Sequence, residues 1–366
     1  MKLSAEREDL LHPLQQVIGA VERKQTQPIL GNVLIEANQD GLVFTATDSE
    51  IELRAMVSVH ADVNGAVTVP ARKLLDICRS LSDNSRVDLE LSGSKLKLKS
   101  GRSRFTLATL PADEFPKVGE ITEGQELQLK ENDLNEAIHN TAFSMAQQDV
   151  RFYLNGMLLE IGMNKLCCVA TDGHRLAYSE TSTDLSPDEP VRAIIPRKSV
   201  NELARLLGKE EHPVTVFISK NHLQVTLPGV RVTTKLIEGR FPDYNRVIPI
   251  DGDKKLQVDR ELLRQSLGRA AILSNEKYRG VRLALSPKVL TISSNNPEQE
   301  EAIDDMEVDY SGGDVEIGFN VSYVLDALNI VETEEVCLFL KDGNSSMLLT
   351  PSGETGNKYV IMPMRL

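Results

Sequence analysis

The chain has 366 residues, of which 41% are hydrophobic, and its formal net charge at pH 7 is −13. This length favours two or three packed domains, and the acidic excess argues against a generic nucleic-acid binder, whose surface is normally basic. Because no apolar run approaches the roughly 18 residues of a membrane span, and because the N-terminal text MKLSAEREDL is too charged for a signal peptide, we expect a cytoplasmic protein.

The first elements predicted along the chain are a short alternating strand, Lys2–Ala5, and an amphipathic helix. Alternating strands follow, and Pro70 then introduces a second helix at a position where proline costs no hydrogen bond. The apolar face of this helix carries Leu74, Leu75 and Cys78. More alternating strands complete the segment, which predicts helices backed by antiparallel sheet.

The same order of elements recurs twice, about 125 residues apart each time, a spacing too long for a solenoid repeat. GNVLIE around Gly31 returns as NGMLLE around Gly156 and as RGVRLAL around Gly280. The text VFTATD ends at Asp48, and CVATD ends at Asp172. We therefore predict an α+β protein of three similar domains, 1–124, 125–249 and 250–366, each a helix pair backed by antiparallel sheet.

The residues that could carry chemistry are few. Four cysteines lie in apolar patterns without a CxxC pair, and six histidines are scattered without metal-ligand spacing, so we expect no metal and no cofactor. The run TDGHR, Thr171–Arg175, brings Asp, His and Arg together but lacks the context of a known catalytic motif. We interpret it as a loop lining a surface pocket. A hydrolase using Asp172 and His174, and a peptide-binding scaffold that does not enclose DNA, remain alternatives.

The C-terminal text YVIMPMRL ends on apolar residues. Its first part, Val360 and Ile361, is typical of a terminal strand. The residues beyond the strand, Met362–Leu366, include two methionines, which suit a groove that adapts to several partners.

Long motifs give the chain a family resemblance: TVPARK, GRSRFTLATLPADEFP, ATDGHRLA, RAAILSNEKYRGVRL and VIMPMRL, together with the triple repeat. In these the chain resembles, end to end, the bacterial DNA polymerase III beta subunits, the sliding clamps. The resemblance implies a DNA clamp fold and a head-to-tail homodimer, a ring of six similar domains around double-stranded DNA. It also implies a processivity factor without catalysis of its own.

A clamp that slides needs sequence-independent contacts to phosphate, because contacts to base edges would hold it at particular sequences. The candidates for DNA contact are Lys24, Arg72, Arg79, Gln148, Phe152, Tyr153, Arg197, Lys198 and Arg205.

The resemblance further implies a pocket for short peptides of partner proteins, among them the DNA polymerase III alpha subunit and the clamp loader delta subunit. The matching positions here are Leu154, Thr171, Gly173, His174, Arg175, Leu176, Pro242, Arg246, Val247, Asn320, Tyr323, Ser346, Val360, Met362, Pro363 and Met364.

The joint between subunits is expected to combine an apolar contact with an ionic one. The positions that match the family's joint, or that could add opposite charges to it, are Lys73, Arg102, Arg104, Phe105, Leu107, Ile272, Leu273, Glu298, Glu300 and Glu301.

Overall fold

The computed structural model describes residues 1–22, 27–119, 121–250, 252–353 and 356–365. The predicted DNA contact Lys24 lies outside these residues. Across the described part of the chain, no helix has the length and apolar character needed to cross a membrane.

The helices follow the predicted repeat, two to each copy. They are α1 (Arg7–Val17), α2 (Ala71–Ser80), α3 (Glu131–His139), α4 (Arg197–Leu206), α5 (Arg260–Ala271) and α6 (Val321–Ile330).

The strands of the first copy are β1 (Lys2–Glu6), β2 (Asn32–Ala37), β3 (Leu42–Thr47), β4 (Ile51–Val57), β5 (Ala61–Val63), β6 (Gly65–Pro70), β7 (Arg86–Ser92), β8 (Lys95–Ser100) and β9 (Ser103–Ala108). Those of the second are β10 (Gln125–Lys130), β11 (Gly156–Gly162), β12 (Lys165–Thr171), β13 (Arg175–Ser182), β14 (Val191–Pro196), β15 (Pro213–Ile218), β16 (His222–Leu227) and β17 (Val230–Lys235). Those of the third are β18 (Lys254–Asp259), β19 (Gly280–Ser286), β20 (Val289–Asn295), β21 (Glu301–Glu307), β22 (Val315–Asn320), β23 (Glu335–Leu340), β24 (Met347–Pro351) and β25 (Lys358–Ile361).

The predicted α+β class is confirmed, and the named strands pair antiparallel. The apolar face predicted for α2 is buried at Leu74, Leu75 and Cys78, because residues three and four apart share one side of a helix. All four cysteines are buried free thiols, as the sequence predicted.

The chain divides into two compact units. The first comprises Met1–Asn132 and Asn201–Leu236. It holds a five-stranded sheet in the order β5-β1-β7-β8-β9 and an eight-stranded sheet in the order β10-β15-β16-β17-β4-β3-β2-β6. Helices α1 and α2 pack on each other in this unit.

The second unit comprises Asp133–Val200 and Ile237–Leu366. Its sheets are an eight-stranded one, β14-β11-β12-β13-β25-β24-β23-β18, and a four-stranded one, β21-β20-β19-β22. Helices α5 and α6 pack on each other and contribute to its main apolar core.

Both eight-stranded sheets join strands of consecutive copies. In the first unit β4 pairs with β17, and in the second unit β13 pairs with β25. A boundary between sequence copies is therefore bridged by continuous main-chain hydrogen bonding. The domain limits near residues 124 and 250 remain a prediction.

Candidate functional sites

The TDGHR run forms a tight turn between β12 and β13. The hydroxyl of Thr171 donates a hydrogen bond to the carbonyl of Arg175 (2.6 Å) and accepts one from the N–H of Gly173 (3.1 Å). One carboxylate oxygen of Asp172 accepts the N–H groups of His174 (2.9 Å) and Arg175 (3.0 Å). Gly173 has a φ of 89°, a left-handed conformation that glycine adopts without steric cost. The turn thus fixes the positions of the two side chains that follow it.

Arg175 is the most connected residue of the site. Its Nε donates to Asp172 (3.1 Å), and its two terminal nitrogens donate to the Asp326 carboxylate (2.5 Å) and the Phe143 carbonyl (2.9 Å). The guanidinium also lies over the ring of Tyr323, 4.6 Å from its centroid. Only 12% of the side chain is exposed. These contacts attach the turn to α6, which carries Asp326 and Tyr323.

The C-terminal segment closes one side of this site. The N–H of Met362 donates to the carbonyl of His174 (2.9 Å), whose ring stacks on Tyr323 at a centroid distance of 6.3 Å. The hydroxyl of Ser346 donates to the sulfur of Met362 (3.0 Å). Beyond Pro363, the N–H of Met364 donates to a carbonyl of β22 (2.8 Å). Main-chain bonds therefore hold the residues past β25 beside the turn.

An apolar floor lies next to these groups. Leu176 on β13 pairs with Val360 on β25, and both are buried in a cluster against which Tyr153, Val247 and Leu348 pack, half-buried. Half-buried apolar side chains packed against a fixed sheet offer contact area to a ligand without further ordering of the chain.

Two tyrosine–carboxylate pairs brace the floor. Tyr244 donates to Glu160 (2.5 Å), and Tyr178 donates to Glu180, with the tyrosine rings 5.6 Å apart. Burial, reinforced by the neighbouring carboxylates, raises the pKa of both tyrosines above the ordinary value, so the hydroxyls stay protonated donors. Burial likewise raises the pKa of the Cys167 thiol in this cluster to about 12. These groups are structural and not reactive at neutral pH.

The other predicted pocket residues are more dispersed. Asn320 accepts a hydrogen bond at the start of α6 as its N-cap, and Leu154 is buried in a one-turn helix. Pro242 is half-buried, whereas the Arg246 side chain is 85% exposed and pairs with Asp243 at 3.0 Å. Arg246 is therefore a rim residue.

Sequence reasoning missed two partners of Arg175. Asp326 had a detectable signal, because it occupies the same place in the repeat as Asp76 and Glu202. Phe143 had none, because it contributes a main-chain carbonyl, which no residue type marks.

The predicted DNA-contact arginines lie on α2 and α4. Arg72 donates to the carbonyl of Val21 (3.0 Å), and Arg197 donates to the carbonyl of Met145 (2.6 Å). Lys198 stands beside Arg197 on α4, and Arg79 is exposed in the last turn of α2. Backbone carbonyls thus position two of these arginines.

Arg205 differs because all three of its guanidinium nitrogens are hydrogen-bonded. They donate to the carbonyls of Gln15 (2.9 Å) and Gln16 (2.6 Å) and to the carboxylate of Glu202. These internal bonds leave the side chain fewer donors for a phosphate.

The loop before β11 carries the remaining DNA candidates. Gln148 has a φ of 57°, and Phe152 is 73% exposed, which is unusual for a large apolar side chain. The guanidinium of Arg151 pairs with Asp149 (2.9 Å), and its hydrogen bonds lower the pKa of that carboxyl to about 2. The pair therefore stays ionised at neutral pH.

The predicted joint residues lie at or near two sheet edges. Phe105 and Leu107 are on β9, the edge of the five-stranded sheet, beside exposed Arg104. Ile272, which follows α5, is 77% exposed, and Leu273 next to it is half-buried. The other members of the set, Lys73, Arg102, Glu298, Glu300 and Glu301, are exposed, and Glu301 begins edge strand β21.

Comparison with known proteins accounts for nearly the whole chain. The family profiles of the DNA polymerase III beta subunit match residues 1–119 for the N-terminal domain, 128–243 for the central domain and 245–365 for the C-terminal domain. The beta sliding clamps of Pseudomonas putida and Escherichia coli K12 are 49% and 48% identical to this chain, and each alignment covers 100% of both sequences.

Solved structures agree with the sequence comparison. A DNA polymerase sliding clamp from Pseudomonas aeruginosa aligns over 100% of both chains with a TM-score of 0.96 and 48% identity. The Caulobacter crescentus polymerase III beta structure aligns over 100% of both chains with a TM-score of 0.93 and 37% identity. The chain belongs to the DNA polymerase III beta subunit family, the bacterial beta sliding clamps.

Proposed function

We propose that this chain acts as a DNA sliding clamp, in which two copies close head to tail around duplex DNA and hold other replication proteins by short peptides. The observation that carries the proposal is the full-length likeness to beta sliding clamps in both sequence and fold. The structure adds the physical reasons that follow.

The ring joint is supported by the pattern of strand pairing. Strand β4 of copy one pairs with β17 of copy two, and β13 of copy two pairs with β25 of copy three. In the repeat, β21 of copy three corresponds to β4 and β13, and β9 of copy one corresponds to β17 and β25. Both β21 and β9 are edge strands of their sheets. Pairing of β21 with β9 of a second chain would repeat the same contact, set acidic Glu301 near basic Arg104, and cover Ile272. Each chain has one edge of each kind, so the contact is heterologous, and two chains form a ring when the rotation between them closes.

Binding to DNA would rest on enclosure and weak phosphate contacts. The net charge of −13 disfavours tight binding of a polyanion, and the candidate cations, which include the exposed Arg72, Arg79 and Arg205, lie without a base-reading motif. Within that set we expect Arg79, which is exposed in the last turn of α2, to contribute more than Arg205, whose guanidinium is already hydrogen-bonded inside the protein.

The second-unit site fits an extended peptide of the polymerase alpha subunit, the clamp loader delta subunit or other partners. Leu176, Val360 and Val247 provide an apolar floor, and Met362 and His174 border it. Methionine adapts its shape to different side chains, which suits a site shared by several partners.

A non-catalytic role is supported by how the TDGHR groups are used. The Asp172 carboxylate accepts two backbone N–H groups and pairs with Arg175, and the His174 ring stacks on Tyr323. An acid–base pair would need the carboxylate to orient the imidazole instead.

The decisive experiment compares retention of the loaded protein on circular and linear DNA. An ATP-driven loader places the clamp on a closed circle, and salt is raised while the complex is followed by gel filtration. Enclosure predicts retention at salt concentrations that remove ordinary phosphate binders, because salt does not weaken a hydrophobic joint. Cutting the circle once should release the protein from the free ends.

Equal retention on circular and freshly cut DNA would contradict the proposal. A protein that is monomeric and indifferent to DNA would favour a peptide-binding scaffold, and turnover lost in His174→Ala would favour a hydrolase.

A further inference from the structure

The first unit contains a second copy of the turn found at the peptide site. The hydroxyl of Thr47 donates to the carbonyl of Ile51 (2.8 Å) and accepts the N–H of Ser49 (3.0 Å). The carboxylate of Asp48 accepts the N–H groups of Glu50 and Ile51, both at 2.8 Å. Ser49 has a φ of 78°, close to that of Gly173. The hydrogen bonds match those of Thr171–Arg175 one for one.

The strands beside the two turns also match. Lys235 donates its N–H to the carbonyl of Glu50 (2.9 Å), as Met362 does to His174. Arg54 on β4 lies as many residues beyond its turn as Tyr178 on β13 does. Arg54 pairs with Arg231 on β17, whereas Tyr178 pairs with Lys358 on β25. Likewise Thr233 takes the place of Val360. The first unit thus repeats the main chain of the peptide site with charged and polar side chains.

A cavity of about 380 Å³ lies on this face of the first-unit sheet. Its lining includes Arg54, Arg231, Lys117, Glu52 and Thr233. The two carboxylates among its described lining residues, Glu52 and Glu36, already hold partners. One oxygen of Glu52 accepts the N–H of Val118 (3.0 Å), and Glu36 pairs with Lys117 (2.8 Å).

The two arginines at this cavity are not paired with either of its carboxylates. The Nε atoms of Arg54 and Arg231 are buried without a hydrogen-bond partner, and neither residue forms an ion pair within the described ranges. Like charges directly opposite each other on antiparallel strands are destabilising. At the equivalent place in the second unit, the Lys358 ammonium lies 5.2 Å from the ring centroid of Tyr178, which donates to Glu180. Among the described residues, the Arg54–Arg231 pair has no comparable bonded partner.

We propose that the first-unit cavity binds an oxyanion, a carboxylate or a phosphate group, between Arg54 and Arg231. Two planar guanidinium groups offer paired N–H donors whose geometry matches the oxygens of these anions. The anion can be a free small molecule or an acidic side chain of a partner peptide. The inference goes beyond clamp function, since it does not depend on DNA or on the second-unit site.

Calorimetric titration of the full chain tests the site, with inorganic phosphate in one arm and a blocked tetraglutamate peptide in the other. Tris chloride buffer at constant ionic strength separates specific binding from screening. We expect one saturable site per chain, and R54Q or R231Q should each weaken binding tenfold or more. K358Q is the matched control, because it removes one positive charge from the equivalent position of the second unit, and it should leave the affinity unchanged. Tighter binding of phosphate would identify a free anion as the source, and tighter binding of the peptide would identify a partner segment.

Thermal unfolding separates an anion site from a structural role of the arginines. In Tris chloride buffer without phosphate or peptide, the R54Q/R231Q double variant should melt higher than the wild type, because the like-charge repulsion is gone. It should also lose the rise in melting temperature that phosphate gives the wild type. Absence of saturable binding of either probe, equal binding by the double variant, or a lower melting temperature of that variant would each overturn the proposal.

Discussion

Arg175 offers the sharpest test of how the second-unit site is held together. Replacing Arg175 with methionine keeps a long apolar stem but removes three hydrogen bonds, to Asp172, Asp326 and the Phe143 carbonyl. Asp172 is 16% exposed and would lose its partner, whereas Asp326 is 44% exposed and can be hydrated. Removing one member of a buried ion pair costs ~3–5 kcal/mol, and exposure reduces the part due to Asp326. We expect a loss of about 3 kcal/mol in the stability of the second unit.

Urea unfolding and amide hydrogen exchange measure this loss at two levels. Exchange should speed up at the N–H groups of His174 and Arg175, which Asp172 accepts in the native turn. A double-mutant cycle with Asp326→Asn should give a coupling energy of about 1–2 kcal/mol, as for neighbouring groups in one network.

Arg246→Met is the matched control. It makes the same substitution in the ion pair of Arg246 with Asp243, where the arginine side chain is 85% exposed. Such surface pairs contribute roughly 0–1 kcal/mol. If Arg175→Met costs no more than Arg246→Met, or if the cycle with Asp326 is additive, the network does not hold the turn and our reasoning about the site is wrong.

Three further predictions follow from the joint, the C-terminus and the thiols. The double variant Ile272→Ala/Leu273→Ala should be monomeric in analytical ultracentrifugation, because each truncation of a side chain buried at the joint costs ~2–5 kcal/mol. A dimer that persists at nanomolar concentration would refute the joint. Deleting Met362–Leu366 should abolish binding of a polymerase tail peptide in fluorescence anisotropy while the dimer remains, and unchanged affinity would remove these residues from the pocket. Burial raises the pKa of Cys78 and Cys167 to about 12, so these two thiols stay protonated at pH 8. Because all four cysteines are buried, a disulfide reagent should react slowly with the native protein and faster once denaturant exposes them, and a fast native thiol would contradict the burial.

The sequence predicted the elements well where a pattern repeats locally. The three short opening strands appear as β1, β10 and β18, and the helix after each is present, because alternation and helical spacing are properties of neighbouring residues. The spacing of apolar residues in the second copy predicts an inner face of α4 made of Val200, Leu203, Ala204 and Leu207, and this is wrong for Ala204, which is exposed. A small residue at the edge of an apolar stripe buries little area and therefore defines the face weakly.

Contacts between distant parts of the chain could not be read in the same way. Nothing local marks the pairing of β4 with β17, since any half-buried strand of suitable length could lie there. The ion pair of Arg175 with Asp326 spans 151 positions and depends on where α6 packs. Long-range pairing is a property of the assembled sheet and helices, so the sequence indicated the members of the site but not the bonds between them.

The three copies show how one main-chain arrangement can carry three different sets of side chains. The turn and the strand pairing after it rest on backbone hydrogen bonds and on a Thr-Asp dipeptide, so the side chains on the adjoining strands can differ between the first two copies. At that face the second unit carries Leu176 and Val360, and the first unit carries Glu52 and Thr233. The third copy replaces the turn with a loop in which Asn296 accepts the N–H of Glu300 (2.9 Å), and its strand β21 remains an edge. Divergence at the same place in each copy therefore leaves an apolar cluster in the second unit, a charged cavity in the first unit and an edge strand in the third copy.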